Sequence, residues 1–292
     1  MRPSIDTKLI SNDQLNKNHK LCEVIAITSG KGGVGKSMLS ANLAISARRF
    51  DKKVLLIDTD IYLGNLSLIL GIRPKYGIAD VMDGTIDITK AISRGPGNID
   101  VLTSSITSFD FLKSEKGIIR KLAEIFSKFS HTYDLIILDT GCGITQSMVS
   151  ILTGADKVIV VVTTDPASIS DAYTIIKTIK NYEKNTPIYL TINMASSQEE
   201  GDALFKKLNL MVHKFLNSKI NFGISLIRDD LIAKSVYSQN PFVLQYPNSP
   251  SASALKLLNQ KVLQASVTKH NSNPNIFERF MSNKKLQSEW DL

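Results

Sequence analysis

Runs that are apolar at nearly every position alternate along this chain with stretches that are apolar on one helical face. Residues 24–28, 54–58, 100–102, 135–139, 158–162 and 188–193 read as strands, and several of them carry no polar face. A strand that is apolar on both sides has to be covered on both sides, as in a parallel sheet flanked by helices. The helix candidates are 37–50, 116–129, 146–152 and 168–182, with 230–238 and 251–267 beyond the last strand. This β-α alternation predicts an α/β fold, a doubly wound and mostly parallel sheet with helices on both faces.

Composition supports one folded unit with two appendages. Of the 292 residues 43% are hydrophobic and 21% charged, which is enough apolar material for a sizeable core and excludes disorder as a description of the whole. No break in composition interrupts 22–267, which reads as a single domain. Residues 1–21 are polar and read as a flexible extension, and 268–275 as a polar linker into a short tail ending at 292. The longest apolar runs fall far short of the roughly 18 residues a membrane span needs. Arg2, Asp6 and Lys8 leave no room for an export signal, and the two cysteines, Cys22 and Cys142, form no framework of bridges or metal ligands. These features lead to the expectation of a cytoplasmic protein. The net charge of +8 permits binding to phosphate backbones or anionic lipid without requiring either.

The chemistry is concentrated between the first strand and the first helix. Gly30-Lys31-Gly32-Gly33-Val34-Gly35-Lys36-Ser37 has the spacing G-x-x-x-x-G-K-[ST] in the strand–loop–helix context that this motif requires. Such a loop turns successive N–H groups toward phosphate oxygens, and the helix N-terminus adds its positive end. Lys36 is placed to reach the β- and γ-phosphates of ATP, and the Ser37 hydroxyl to hold Mg²⁺. Strand 135–139 closes on Asp139, a second Mg²⁺ candidate at the carboxyl edge, where ligands of open α/β sheets gather. Asp58 and Asp60 end strand 54–58 in the run Asp58-Thr59-Asp60.

The extra lysine narrows the picture. Lys31 makes the pattern Lys-Gly-Gly-Val-Gly-Lys-Ser, which resembles the deviant Walker A loop of the MinD/ParA (SIMIBI) class of P-loop ATPases. That resemblance implies an ATP-dependent homodimer in which Lys31 touches the partner's nucleotide, adding a cation where charge develops at the γ-phosphate. It also implies that Asp60 positions the attacking water, that Asp58 sits near the Mg²⁺ shell or supports its loop, and that Asp139 binds Mg²⁺ through water. Asn193, at the end of strand 188–193, matches the family's adenine-contacting asparagine; a strand-end turn residue is the plainer reading. Met38 stands where the family often has threonine, so a hydroxyl for the α-phosphate is missing.

Three further stretches resemble the flagellar-number branch of that class, the FlhG (FleN, YlxH) group: residues 164–173, 139–144 and 239–252. The likeness spans about 22–267 and implies membrane binding in the ATP state, an SRP-type GTPase partner (FlhF) and flagellar switch-ring proteins. Asp13-Gln14-Leu15 partly resembles the group's GTPase-stimulating motif but lacks its Leu-Arg ending. In the tail, Ile276, Phe277, Phe280 and Met281 share an arc of roughly 140°. Beside Arg279, Lys284 and Lys285 they suit a marginal anchor in anionic lipid, or a helix folded back on the domain. The alternatives are a MinD-like division-site ATPase, a ParA-like DNA-partitioning ATPase, and a scaffold without turnover. DNA is the weaker partner because the tail is apolar.

Overall fold

The computed structural model describes residues 22–60, 64–82, 84–104, 122–125 and 128–264. The tail positions 276–281 and the Asp13-Gln14 segment lie outside the described residues.

Eight strands form one sheet. They are β1 (Glu23–Ser29), β2 (Val54–Asp58), β3 (Ser93–Arg94), β4 (Asp100–Leu102), β5 (Leu135–Cys142), β6 (Lys157–Val162), β7 (Ile188–Ala195) and β8 (Asn221–Ile227). Their spatial order is β3-β4-β2-β5-β1-β6-β7-β8, and every pairing is parallel except the short β3–β4 pair at one edge. The expected α/β class and doubly wound sheet are therefore what the chain adopts. β1 lies in the interior between β5 and β6, so the loop that leaves its carboxyl end opens where the chain winds away to either side, the usual ligand crevice of such sheets.

The alternation of side chains along each strand separates two cores. Val24, Ala26, Leu55, Ile57, Ile136 and Leu138 face one layer, while Ile25, Ile27, Val54, Leu56, Leu135 and Ile137 face the other. Helices in chain order are α1 (Lys36–Ala47), α2 (Leu66–Leu70), α3 (Ile78–Met82), α4 (Ile88–Ala91), α5 (Gln146–Gly154), α6 (Pro166–Tyr182), α7 (Gln198–Leu216), α8 (Asp230–Tyr237), α9 (Phe242–Gln245) and α10 (Pro250–Gln264). α5, α6 and α7 cover the first face, and α1, α9 and α10 the second. Residues 122–125 and 128–129, within the helix expected over 116–129, are helical.

α1 is buried along its whole length except at Ser37. Its polar residues are spent on internal bonds: Asn42 Nδ2 donates to Met38 O at 2.8 Å, and Asn42 Oδ1 accepts from Val243 N at 3.1 Å. Asn259 of α10 donates to Leu43 O at 3.2 Å. These bonds fix the helix that begins at the phosphate loop.

The strand and helix pattern read from the sequence omits α7 and β8, which form one edge of the fold. α7 opens on a reciprocal pair one residue off a capping box: N-cap Ser197 Oγ accepts from Glu200 N at 3.3 Å, and Glu200 Oε2 accepts from Ser196 N at 2.6 Å. On β8, Phe222 packs against one core and Ile224 and Leu226 lie in the other, because the register with β7 shifts after Phe222, at Gly223. A Cβ at Gly223 would stand 2.7 Å from Thr191 Oγ1 on β7, so close strand approach excludes a side chain there.

Candidate functional site

The loop from Gly30 to Gly35 joins β1 to α1 at the carboxyl edge of the sheet. Gly35 is the N-cap of α1 with φ 87°, a left-handed conformation open to glycine at little cost. A Cβ there would also lie 2.3 Å from Asn193 Nδ2. That amide donates to Val34 O at 2.8 Å, so buried Asn193, from the end of β7, braces the loop. Its carbonyl oxygen accepts from Met194 N. Gly32 and Gly33 complete the turn, with Gly33 at φ 79°.

Beneath the loop, parallel register sets two carboxylates side by side. Asp58 on β2 is the direct partner of Asp139 on β5, and both are buried. Lys36 Nζ donates to Asp139 Oδ1 at 3.0 Å and lies 3.3 Å from Ser37 Oγ. The Ser40 hydroxyl, 2.8 Å from Asp139 Oδ1, shares its proton between that oxygen and Lys36 O. Asp58 accepts from Asp60 N at 3.1 Å and, more weakly, from Leu66 N and Ser104 Oγ at 3.4 Å each. Burial, and then the neighbouring Asp139, push the Asp58 carboxyl up to about 8, with Lys36 opposing.

Two buried carboxylates sharing one lysine form a pocket short of positive charge. With the Ser37 hydroxyl beside them, the donors are all hard oxygens, which suits Mg²⁺ completed by water and phosphate oxygens. Among the described residues there is no cluster of three His, Cys, Asp or Glu.

Asp60 borders the same cleft. A Cβ on Gly141 would lie 3.6 Å from its carboxyl carbon, which puts Asp60 against the segment that follows Asp139. Thr59 N and Oγ1 both donate to Asp139 O at 2.9 Å, tying the ends of β2 and β5 together. Met38 is buried, lines the cleft and presents no hydroxyl, as expected.

Lys31 is exposed at the rim. Its ammonium meets Asp165 Oδ2 at 2.7 Å, which raises the lysine's affinity for its proton and holds the Asp165 carboxyl below the usual range. Asp165 is also the N-cap of α6, accepting from Ser168 N at 3.2 Å. The lysine is thus held within its own chain by a residue whose role sequence reading missed. The available signal was the Asp165-Pro166 pair at a strand-to-helix junction.

The cleft holds about 720 Å³, a size suited to a nucleotide. Its floor is the phosphate loop, and its opposite wall is apolar: Ile69, Ile227, Ile232 and Val236. Arg228 and Asp229 stand on the same side. These wall residues also went unread, because only the fold brings the end of β8 and the start of α8 over the loop. Ile227 is exposed at the cleft, whereas Leu226 is buried in the core.

The AAA domain family model matches residues 22–192, well over half of the chain. Antiactivator FleN of Pseudomonas aeruginosa is 33% identical over 249 residues, which cover 85% of this chain and 89% of that protein. The flagellum site-determining protein YlxH of Helicobacter pylori is 34% identical over 195 residues, 63% of this chain and 62% of that protein. Among solved structures, the septum site-determining protein MinD of Pyrococcus horikoshii complexed with Mg-ADP shares the fold. Its TM-score is 0.69 at 23% identity, covering 85% of this chain and 99% of that one. A phosphate loop with two lysines, two strand-end carboxylates beneath it, and relatives matched along most of the chain establish that this protein belongs to the MinD/ParA-type ATPases, on the side of the family that contains the flagellar regulators FleN and YlxH.

Proposed function

We propose that this chain is a dimerising ATPase switch that controls flagellar number or placement and binds the membrane in its ATP state. The observation that carries the reading is the meeting of Lys36, Ser37, Asp58 and Asp139 under a loop that offers a second lysine, in a chain similar to FleN over most of its length.

In this scheme the N–H groups of residues 32–37 and the Lys36 ammonium hold the β- and γ-phosphates. Ser37, Asp58 and Asp139 would hold Mg²⁺, which would supply charge neutralisation for the triphosphate. Asp60 accepts a hydrogen bond from the attacking water and aims it at the γ-phosphorus, giving ADP and phosphate. Asn193 reaches the adenine edge, and the apolar wall at Ile232 and Val236 covers the base. On dimerisation Lys31 leaves Asp165 for the partner's phosphates. Met38 offers the α-phosphate no hydroxyl, so affinity is modestly lower than in threonine-bearing relatives. Turnover is slow without a partner, since a switch needs a long-lived ATP state.

The ATP dimer presents two tails through Ile276, Phe277, Phe280 and Met281 to anionic lipid, where two weak anchors act together. An FlhF-type GTPase and flagellar switch-ring proteins are its partners, and the N-terminal Asp13-Gln14 segment is the candidate stimulator of the GTPase.

The test is affinity capture from the native host, with the Asp60→Ala chain and ATP as bait against wild type with ADP. Recovery of the flagellar GTPase or switch-ring proteins in the ATP state alone is expected. Recovery of division or chromosome-partition proteins instead would keep the ATPase and overturn the flagellar role.

A further inference from the structure

One surface of the ATPase domain lies outside the nucleotide cycle altogether. From Ala203 to Arg228 the chain has no acidic residue, yet it carries Lys206, Lys207, His213, Lys214, Lys219 and Arg228. α7 occupies the first half of this stretch. Its inner positions Leu204, Leu208 and Val212 are buried against the sheet, so the helical repeat turns Lys206, Lys207, Leu210, His213 and Lys214 outward, and all five are exposed. Leu210 is 66% exposed and Phe215 64%. Phe215 is flanked by the Lys214 ammonium, 5.5 Å from its ring centroid. Lys206, Lys207, Lys214 and Lys219 make no ion pair among the described residues. An ordinary solvated helix face mixes charges of both signs and exposes few large apolar groups. Beyond Asp202 the outer face carries one sign of charge and exposes Leu210, while Phe215, on the line of Leu204, Leu208 and Val212, is exposed where the helix ends.

Topology places the surface. β7 and β8 are parallel, so α7 between them runs back from the carboxyl ends of the strands to their amino ends. Its last turns therefore lie at the end of the sheet opposite the phosphate loop. α10 finishes at that same end. Lys157, the first residue of β6, donates to Val262 O, and Lys261 Nζ donates to Gly223 O at 2.7 Å. The Lys261 ammonium also stands 4.7 Å from the centroid of Phe222, whose ring lies 5.1 Å from that of Phe205 on α7. The chain beyond Gln264 thus departs at the same end as the basic face, with 292 − 264 = 28 residues still to come.

We propose that the outer face of α7 from Lys206 onward, together with the helix end at Phe215 and the turn to Lys219, is a second membrane contact, built into the ATPase domain itself. Lys206, Lys207, Lys214 and Lys219 meet anionic headgroups, while Leu210 and Phe215 enter the boundary between headgroups and acyl chains. The proposal extends the membrane-switch reading and rests on it. Lysines alone would serve a nucleic-acid backbone equally well, but exposed Leu210 and Phe215 find no counterpart in phosphate contacts. Gln264, the last described residue, stands at the same end of the sheet as the last turn of α7, so the tail and the helix contact can reinforce each other within one chain.

The test uses the full chain with ATP and Mg²⁺, sedimented with vesicles of phosphatidylcholine and phosphatidylglycerol and with phosphatidylcholine alone. The triple variant Lys206→Gln/Lys207→Gln/Lys214→Gln is expected to lose on the order of a hundredfold in partition to the anionic vesicles, with its turnover in solution unchanged. A second readout moves the single tryptophan: in a Trp290→Phe background, Phe215→Trp should be quenched by bromine-labelled lipid. Wild-type sedimentation by the lysine variant together with an unquenched Trp at 215 would overturn this surface and leave the tail's role standing. Failure of the native chain to sediment with anionic vesicles would overturn both. Loss of duplex DNA binding with vesicle binding intact would assign the face to nucleic acid and overturn the membrane contact.

Discussion

Cys142 and Cys22 share a side chain and little else. Burial, followed by Asp156, Asp134 and Glu23, pushes the Cys22 thiol up to about 12, whereas Cys142 is exposed on the cleft wall near Gly32. The thiolate is the nucleophile, so iodoacetamide at pH 8 should label Cys142 fast and Cys22 hardly at all. Saturating nucleotide should slow the labelling; a rate indifferent to nucleotide would remove Cys142 from the cleft. Asp58 carries a pH signature. Its folded value is raised above the ordinary 3.8, so the stability it contributes is complete below that value and is lost as pH rises toward about 8. The nucleotide-free protein should therefore melt lower at pH 8 than at pH 6, with a shallower fall in Asp58→Asn. Parallel melting curves for the two chains would show that Asp58 is not the titrating group. The carboxylates themselves were legible in the sequence as strand-end residues, but their mutual effect was not, because it depends on β2 pairing with β5 across some 80 residues of chain.

At the scale of elements, a buried ion pair fastens the last helix to the sheet. Lys157 is almost wholly buried, donates to Glu23 on β1 and caps Val262 O at the end of α10. Removing one member of such a pair leaves an uncompensated buried charge, so Lys157→Ala should cost on the order of 3–5 kcal/mol in chemical denaturation. Lys157→Met combined with Glu23→Leu should recover most of that loss; a double variant no more stable than the single would mean that the pair is not what Lys157 supplies. Nothing in the run 157–162 marks Lys157 as buried, since a lysine before four valines and one isoleucine reads as a strand end. The edge formed by α7 and β8 was obscured for a related reason. Gly201 and Gly223 break the local periodicity, and both answer to neighbours supplied by the tertiary fold: Ser225 Oγ would lie 2.1 Å from a Cβ on the first and Thr191 Oγ1 2.7 Å from one on the second.

For the molecule as a whole, the dimer reading makes a quantitative demand. If Lys31 acts on the partner's nucleotide and Asp60 on its own, Lys31→Ala and Asp60→Ala should each bind nucleotide and fail to turn it over. Mixed in equal amounts they should regain about a quarter of wild-type turnover, since random pairing gives mixed dimers half the time and each has one complete site. No recovery in the mixture would confine Lys31 to its own site. The sequence by itself determined the class of fold, the phosphate loop and the residue types of the site. Apolar strands on both faces permit few architectures, and a loop whose backbone must curl around phosphate leaves a local glycine and lysine signature. Only the tertiary structure decided which charges meet. The pairing of Asp58 with Asp139, the bond from Asn193 to Val34, the hold of Asp165 on Lys31 and the bond from Lys261 to Gly223 all join residues distant in the chain. Such contacts are fixed by strand order and register, which local periodicity does not encode.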